Sequence, residues 1–163
     1  MNAADKLPDM TPVVVEHEAM KLIGLPCVSL NNMAEKYQHA KESLLTISAY
    51  LPQVIDPNVH YGVWPQVETQ ANPDTHAYIL CVEVGTFDGI PDWFVKLTMP
   101  PQRCIAVASA NGDFEAAGQA IDAYIRDKQL TVSGEGRDYI ICERYRLSAE
   151  GFSRYSLPII GNR

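Results

Sequence analysis

The sequence predicts an α+β fold: duplicated βαββ units forming an antiparallel sheet, with two helices on one face and a central groove. Three observations predict it. Strand-like and helix-like stretches recur in one order, at residues 13–25, 33–51, 60–66 and 78–84, then at 103–110, 114–127, 139–146 and 155–160. Identity between the halves is low, so the repeat is one of pattern. No segment is low-complexity, and no linker is long enough to separate independent domains. Two such units side by side leave a groove along their seam, and ligand pockets favour such junctions.

The elements follow in order. Residues 1–12 carry Asp5, Asp9 and two prolines and predict a flexible N-terminal arm, with a single domain over 13–160. Val13-Val14-Val15 and the apolar run 22–25 bracket Glu16-His17-Glu18, which predicts one irregular first strand. Asn32 offers an N-cap side chain and Glu35 stands in capping-box position. Met33, Tyr37, Ala40, Leu44, Ile47 and Leu51 then recur at three- and four-residue steps, one apolar helical stripe that Pro52 stops. Asp56-Pro57-Asn58 and Asn72-Pro73-Asp74 are turn signals on either side of the strand around Tyr61 and Trp64. The run 78–84 is β-rich, 85–91 is a loop, and Trp93 and Phe94 lie just beyond it. Pro100-Pro101 breaks the following strand, which resumes at Cys104. Asn111-Gly112-Asp113 gives a turn and a cap. Phe114, Ala117, Ile121, Tyr124 and Ile125 make the second apolar helical face. Residues 133–136 connect to the last two strands, predicted to be antiparallel neighbours.

Composition excludes several functions. The 163 residues carry a formal charge of −7, and Arg137, Arg144, Arg146 and Arg154 are interrupted by Asp138, Glu143 and Glu150. Duplex DNA binding runs on clustered Lys and Arg, so direct DNA binding is not expected. No run of about 18 apolar residues exists to span a membrane, and residues 1–12 lack an apolar h-region, so no secretory signal is expected. Cys27, Cys81, Cys104 and Cys142 each stand alone in apolar stretches, which predicts buried, reduced thiols in a cytoplasmic protein. His17, His39, His60 and His76 are scattered, so no metal and no cofactor are expected. GxSxG, HExxH and Gly-rich phosphate loops are absent from the sequence, which gives no sign of an enzyme.

The strand 139–146 carries the most chemistry. At period two, Tyr139, Ile141, Glu143 and Tyr145 share a face. A carboxylate in that company lies either on a wet face or in a lined pocket. In a pocket, aromatic faces and one carboxylate would receive an organic cation. Tyr61, Trp64, Trp93 and Phe94 stand at element ends, where a pocket mouth would lie, and Glu83 is a second strand carboxylate.

Several segments together resemble the GyrI-like small-molecule-binding domain, also called the AraC-type effector-binding domain. They are Tyr61-Gly62-Val63, His76-Ala77-Tyr78 into Val82-Glu83-Val84, and Thr98-Met99-Pro100 through Arg103 to Asn111-Gly112. Cys142-Glu143-Arg144-Tyr145 is the strongest, followed by Tyr155-Ser156-Leu157-Pro158-Ile159. The resemblance implies a groove that takes hydrophobic, often cationic, compounds, with Glu143 neutralising the charge and Tyr145 beside it. It thus favours the pocket over the wet face. Many members of the family carry a helix-turn-helix, for which residues 1–12 leave no room, so the expected form is free-standing, like mobile-cassette (integron cassette) members. Cys142 stands where an aromatic residue is usual, so ligand shape should differ. The expected function is non-enzymatic binding of an amphipathic or cationic small molecule. The alternatives are a protein-interaction module of the gyrase-inhibitor type and a hydrolase using Glu143.

Overall fold

The computed structural model describes residues 7–29, 33–65, 76–110, 112–132, 139–146 and 154–160. The Asn32 cap, the Asn72-Pro73-Asp74 turn and the 133–136 connection lie outside the described residues. The strands are β1 (Val13–His17), β2 (Met20–Ser29), β3 (Val59–Pro65), β4 (His76–Val84), β5 (Val95–Met99), β6 (Gln102–Ala108), β7 (Thr131–Val132), β8 (Tyr139–Arg146) and β9 (Arg154–Ile160). The helices are α1 (Met33–Ser48) and α2 (Phe114–Lys128). The sheet runs β1-β6-β9-β8-β3-β4-β2-β5 and its neighbouring strands pair antiparallel.

That order is symmetric about the β3–β8 pair. Each half holds four strands, and β6, β9 and β8 mirror β2, β4 and β3. The fold is therefore the α+β duplication that the sequence pattern predicts. One element differs from the expectation. Residues 13–25 form parts of two strands, because Glu18 and Ala19 separate β1 from β2. The true counterpart of β1 is β5: Val95 follows Val13, and Gln102 follows Met20, by 82 residues (95 − 13 and 102 − 20). These first strands are exchanged, since β1 pairs with β6 and β5 with β2.

The exchange bends the sheet. In a flat sheet, β1 and β2 would stand six strand spacings apart, roughly 29 Å. Two linking residues bridge at most ~11 Å. The sheet must therefore fold back on itself, and the Pro100-Pro101 link between β5 and β6 imposes the same condition from the other side. The enclosed face needs no helix to bury it. Leu22, Val59, Tyr61, Val63, Ile79, Cys81, Leu97 and Met99 form a core there.

The helices cover the other face. α1 lies over β2 and β4, and α2 over β6 and β9. The stripe Tyr37, Ala40, Leu44, Ile47 and Leu51 packs on Ile23, Tyr78, Leu80, Val82 and Val84 as the sequence predicts, though the helix ends at Ser48, before Leu51. Ala117, Ile121, Tyr124 and Ile125 pack on Ile105, Val107 and Ile159. Asp113 caps α2, its Oδ1 accepting the Ala116 amide at 2.9 Å. At the far end Gln129 turns left-handed (φ 53) and its amide closes the last turn on Arg126. Three of the cysteines, Cys27, Cys81 and Cys104, are buried free thiols. No helix among the described residues is long and apolar enough to cross a membrane.

The arm is partly docked. Asp9 Oδ1 accepts the Ala110 amide at 2.9 Å, and the Met10 amide donates to Ala108. Met10 joins the α2 core, so its burial holds residues 9–10 against the end of β6.

Candidate functional site

β3 and β8 run down the middle of the sheet, between the strands that carry α1 and those that carry α2. Their register sets which residues meet. His60 pairs with Tyr145, Gly62 with Glu143 and Trp64 with Ile141. Glu143 in turn pairs with Tyr155 on β9. Paired residues share a face and neighbours along a strand alternate. Gly62 pairs with Leu80, which packs beneath α1, and Tyr155 pairs with Val107, which packs beneath α2. Glu143 thus occupies the helix face of the sheet, at the level where the two halves join. Ile141 and Tyr145 occupy the same face by alternation. Register thus places four of the eight residues singled out in the sequence in neighbouring rows of one face: Glu143, Tyr145, Ile141 and Trp64. Tyr139 departs from the expectation, because the register shifts between Trp64 and Pro65 and pairs Tyr139 with Pro65, which breaks the alternation.

The other three stand elsewhere. Tyr61 pairs with Arg144, so it belongs to the enclosed face, where its hydroxyl donates to Glu83 Oε2 at 3.2 Å. Alternation turns Tyr61 and Glu83 away from Glu143, which corrects the expectation for Tyr61. Phe94 is buried in the α1 core, where its ring serves packing. Trp93 stacks on Phe94, with centroids 4.2 Å apart and planes at 25°, and is 59% exposed. It immediately precedes Phe94 and β5, and β5 is three strands from β3 in the sheet. Neither joins the row at the seam.

Three residues that the sequence did not mark as a site line the α1 side. His60 is buried, and its Nε2 lies 3.3 Å from the Tyr37 hydroxyl. Burial, with the Lys41 charge adding to it, lowers the His60 pKa from 6.5 to about 4, so the ring is neutral at pH 7. Tyr37 meets Tyr78 edge to face, centroids 6.0 Å apart at 61°. Tyr78 in turn lies across Gly62: a Cβ built there would overlap the Tyr78 hydroxyl. A glycine inside a strand commonly marks such a close approach, and Gly62 was the signal in the sequence that could have found it.

The enclosed face has its own polar group. Arg154 Nη2 lies 3.1 Å from His17 Nε2, and Ser156 Oγ 3.3 Å from the same nitrogen. A guanidinium can only donate, so His17 Nε2 accepts and the ring is neutral. Burial first, then the charges of Arg154 and Arg144, lowers its pKa to about 4. At the seam the helix face therefore combines Tyr37, Tyr78, the neutral His60 imidazole and the Glu143 position, whereas the enclosed face carries Arg144 and Arg154.

No family model and no curated protein matches the chain. Solved structures do. SAV2435 bound to tetraphenylphosphonium superposes with a TM-score of 0.63 at 12% identity, over 92% of this chain and 94% of that one. The EcmrR C-terminal domain gives 0.65 at 9% identity, over 92% and 97%. A hydrolase encoded by lin2189 of Listeria innocua gives 0.61 at 11% identity, over 98% and 96%. At such identities the likeness is one of fold. The duplicated βαββ halves, the two helices on one face and these superpositions together give the chain the GyrI-like fold.

Proposed function

We propose that this chain binds hydrophobic, cationic small molecules on the helix face of the β3–β8 seam, without transforming them. The single observation that carries the reading is the register position of Glu143. It places the carboxylate-bearing residue on a central strand, between the two helix-covered halves, in one row with Gly62 and Tyr155. Tyr145, Ile141 and Trp64, one apolar and two aromatic residues, stand in adjacent rows of the same face. Support comes from SAV2435, which shares the fold and holds a lipophilic cation, tetraphenylphosphonium. EcmrR, whose C-terminal domain shares it, has also been solved in complex with DNA, which favours an effector role in regulation.

The test titrates a cation, tetraphenylphosphonium, and a neutral aryl phosphorus compound, triphenylphosphine oxide, by calorimetry. The two differ by a phenyl ring, so the charge term is read from the effect of Glu143→Gln on each compound and not from the two affinities. Glu143→Gln keeps the shape and should weaken the cation by about 1–3 kcal/mol, roughly 5- to 150-fold, while leaving the neutral compound nearly unchanged. Equal cation affinity in wild type and Glu143→Gln removes Glu143 from the site. The likeness to the Listeria hydrolase supports a second reading, in which Glu143 activates water. Mass spectrometry of recovered ligand separates the two, since the binding reading requires it to return unchanged.

A further inference from the structure

We propose that Tyr78 sets the depth of the seam on its α1 side, and so the size of the cation accepted, with Gly62 present to admit its ring. The inference rests on the reading of the seam as a ligand site and adds a residue that determines specificity. Tyr78 belongs to β4, one strand away from the seam, and its neighbours on that face pack under α1. Its phenol nevertheless reaches β3, because Gly62 has no side chain and the hydroxyl fills that volume. Gly62 is the register partner of Glu143. The Tyr78 oxygen therefore lies about one strand spacing, ~4.8 Å, from the Glu143 backbone.

The ring is also held from behind. Tyr37 sits edge-on against it, and Tyr37 is fixed by its contact with His60. Leu44, Leu80 and Val82, all buried, belong to the same packed core. A methyl group at position 62 leaves the phenol no room to retreat beneath α1, so it must move toward β8, into the space a ligand would use. Tyr78 is thus the floor on one side and the Glu143 position the charged level beside it. The floor favours a flat occupant over a bulky one.

The experiment uses the full chain with two cations of different outline, planar ethidium and bulky tetraphenylphosphonium. Gly62→Ala should weaken tetraphenylphosphonium by about tenfold or more, the scale on which one misplaced methyl group acts in a packed site. Adding Tyr78→Leu in that background should restore the loss. Tyr78→Leu alone should shift the affinity ratio toward tetraphenylphosphonium by about fivefold or more, a change that needs no folded Gly62→Ala protein. A folded Gly62→Ala with wild-type affinity overturns the proposal. So does an unchanged ratio in Tyr78→Leu. Both outcomes leave the ligand-site reading intact, whereas a wild type that binds neither cation defeats that reading and the proposal with it.

Discussion

The two halves share one topology and differ at the place where they touch. Gly62 of β3 and Glu143 of β8 are register partners on mirrored strands, so each stands where the other half places its counterpart. One half contributes no side chain there and leans a tyrosine over the gap; the other contributes a carboxylate. The asymmetry continues one row out, where the pair His60–Tyr145 stands across the axis from the pair Trp64–Ile141. A duplicated scaffold can thus build an unsymmetrical site, because a few exchanges beside the pseudo-symmetry axis leave the packing of both halves in place. The cores away from the seam keep the common plan, with a helix stripe on two strands in each.

The largest expected effect compares those two cores. Among the described residues, nine are buried in the α1 core and five in the α2 core. Leu44 and Ile121 are their central helix residues, 0% and 1% exposed. Leu44→Ala leaves a cavity walled on more sides, so it should cost about 3–5 kcal/mol against about 2–3 for Ile121→Ala. Urea midpoints at constant slope measure both. The reverse order would mean that the second half carries the larger core.

A smaller effect separates the two faces of the sheet by pH. His60 on the helix face and His17 on the enclosed face both have a folded pKa near 4. Unfolded, each returns to about 6.5. Between those values the unfolded chain takes up protons that the folded chain does not, so stability must fall as pH drops from about 6.5 to about 4. The buried His60 should account for about 2–3 kcal/mol of the loss, at 1.36 kcal/mol per pKa unit. His17, less buried, adds to it in the same direction. His60→Gln should flatten the dependence of Tm on pH across that window, and adding His17→Gln should flatten it further. If the double variant keeps the wild-type slope, the carboxylates govern the acid limb instead.

How much of this was legible in sequence depended on the range of the interaction. Helix stripes follow a local period, and so Tyr37, Ala40, Leu44 and Ile47 could be read in advance, as could the face shared by Ile141, Glu143 and Tyr145, whereas the register shift that separates Tyr139 from them could not. The exchange of β1 and β5 could not, since nothing local tells Val13–His17 to pair with β6 in place of the adjacent β2. Face assignment failed for Tyr61 for a related reason. Its position in a strand was clear, but only the register with Arg144 and Cys81 shows which core it enters. Phe94 had the composition of a pocket aromatic and the burial of a core one. Gly62 was visible as a glycine in a strand, while the tyrosine that fills its space lies sixteen residues on, in another strand (78 − 62).

The smallest effect is expected at Trp93, and it sharpens the contrast between the seam and the sheet's outer edge. The chain has two tryptophans, Trp64 and Trp93. Trp64 stands on β3 in register with Ile141, in the row next to Gly62 and Glu143. Trp93 precedes β5, stacks on Phe94 and is mostly exposed. If the ligand lies at the seam, Trp64 is the side chain whose surroundings change, while Trp93 stays in water. Trp93→Phe should therefore leave cation affinity within about twofold, keep stability within ~0.5 kcal/mol as surface substitutions usually do, and retain the fluorescence response to tetraphenylphosphonium. Trp64→Phe should abolish the response while Trp93 continues to emit. The opposite result, a signal that survives in Trp64→Phe and vanishes in Trp93→Phe, would move the ligand to the β5 edge and take Glu143 out of its reach.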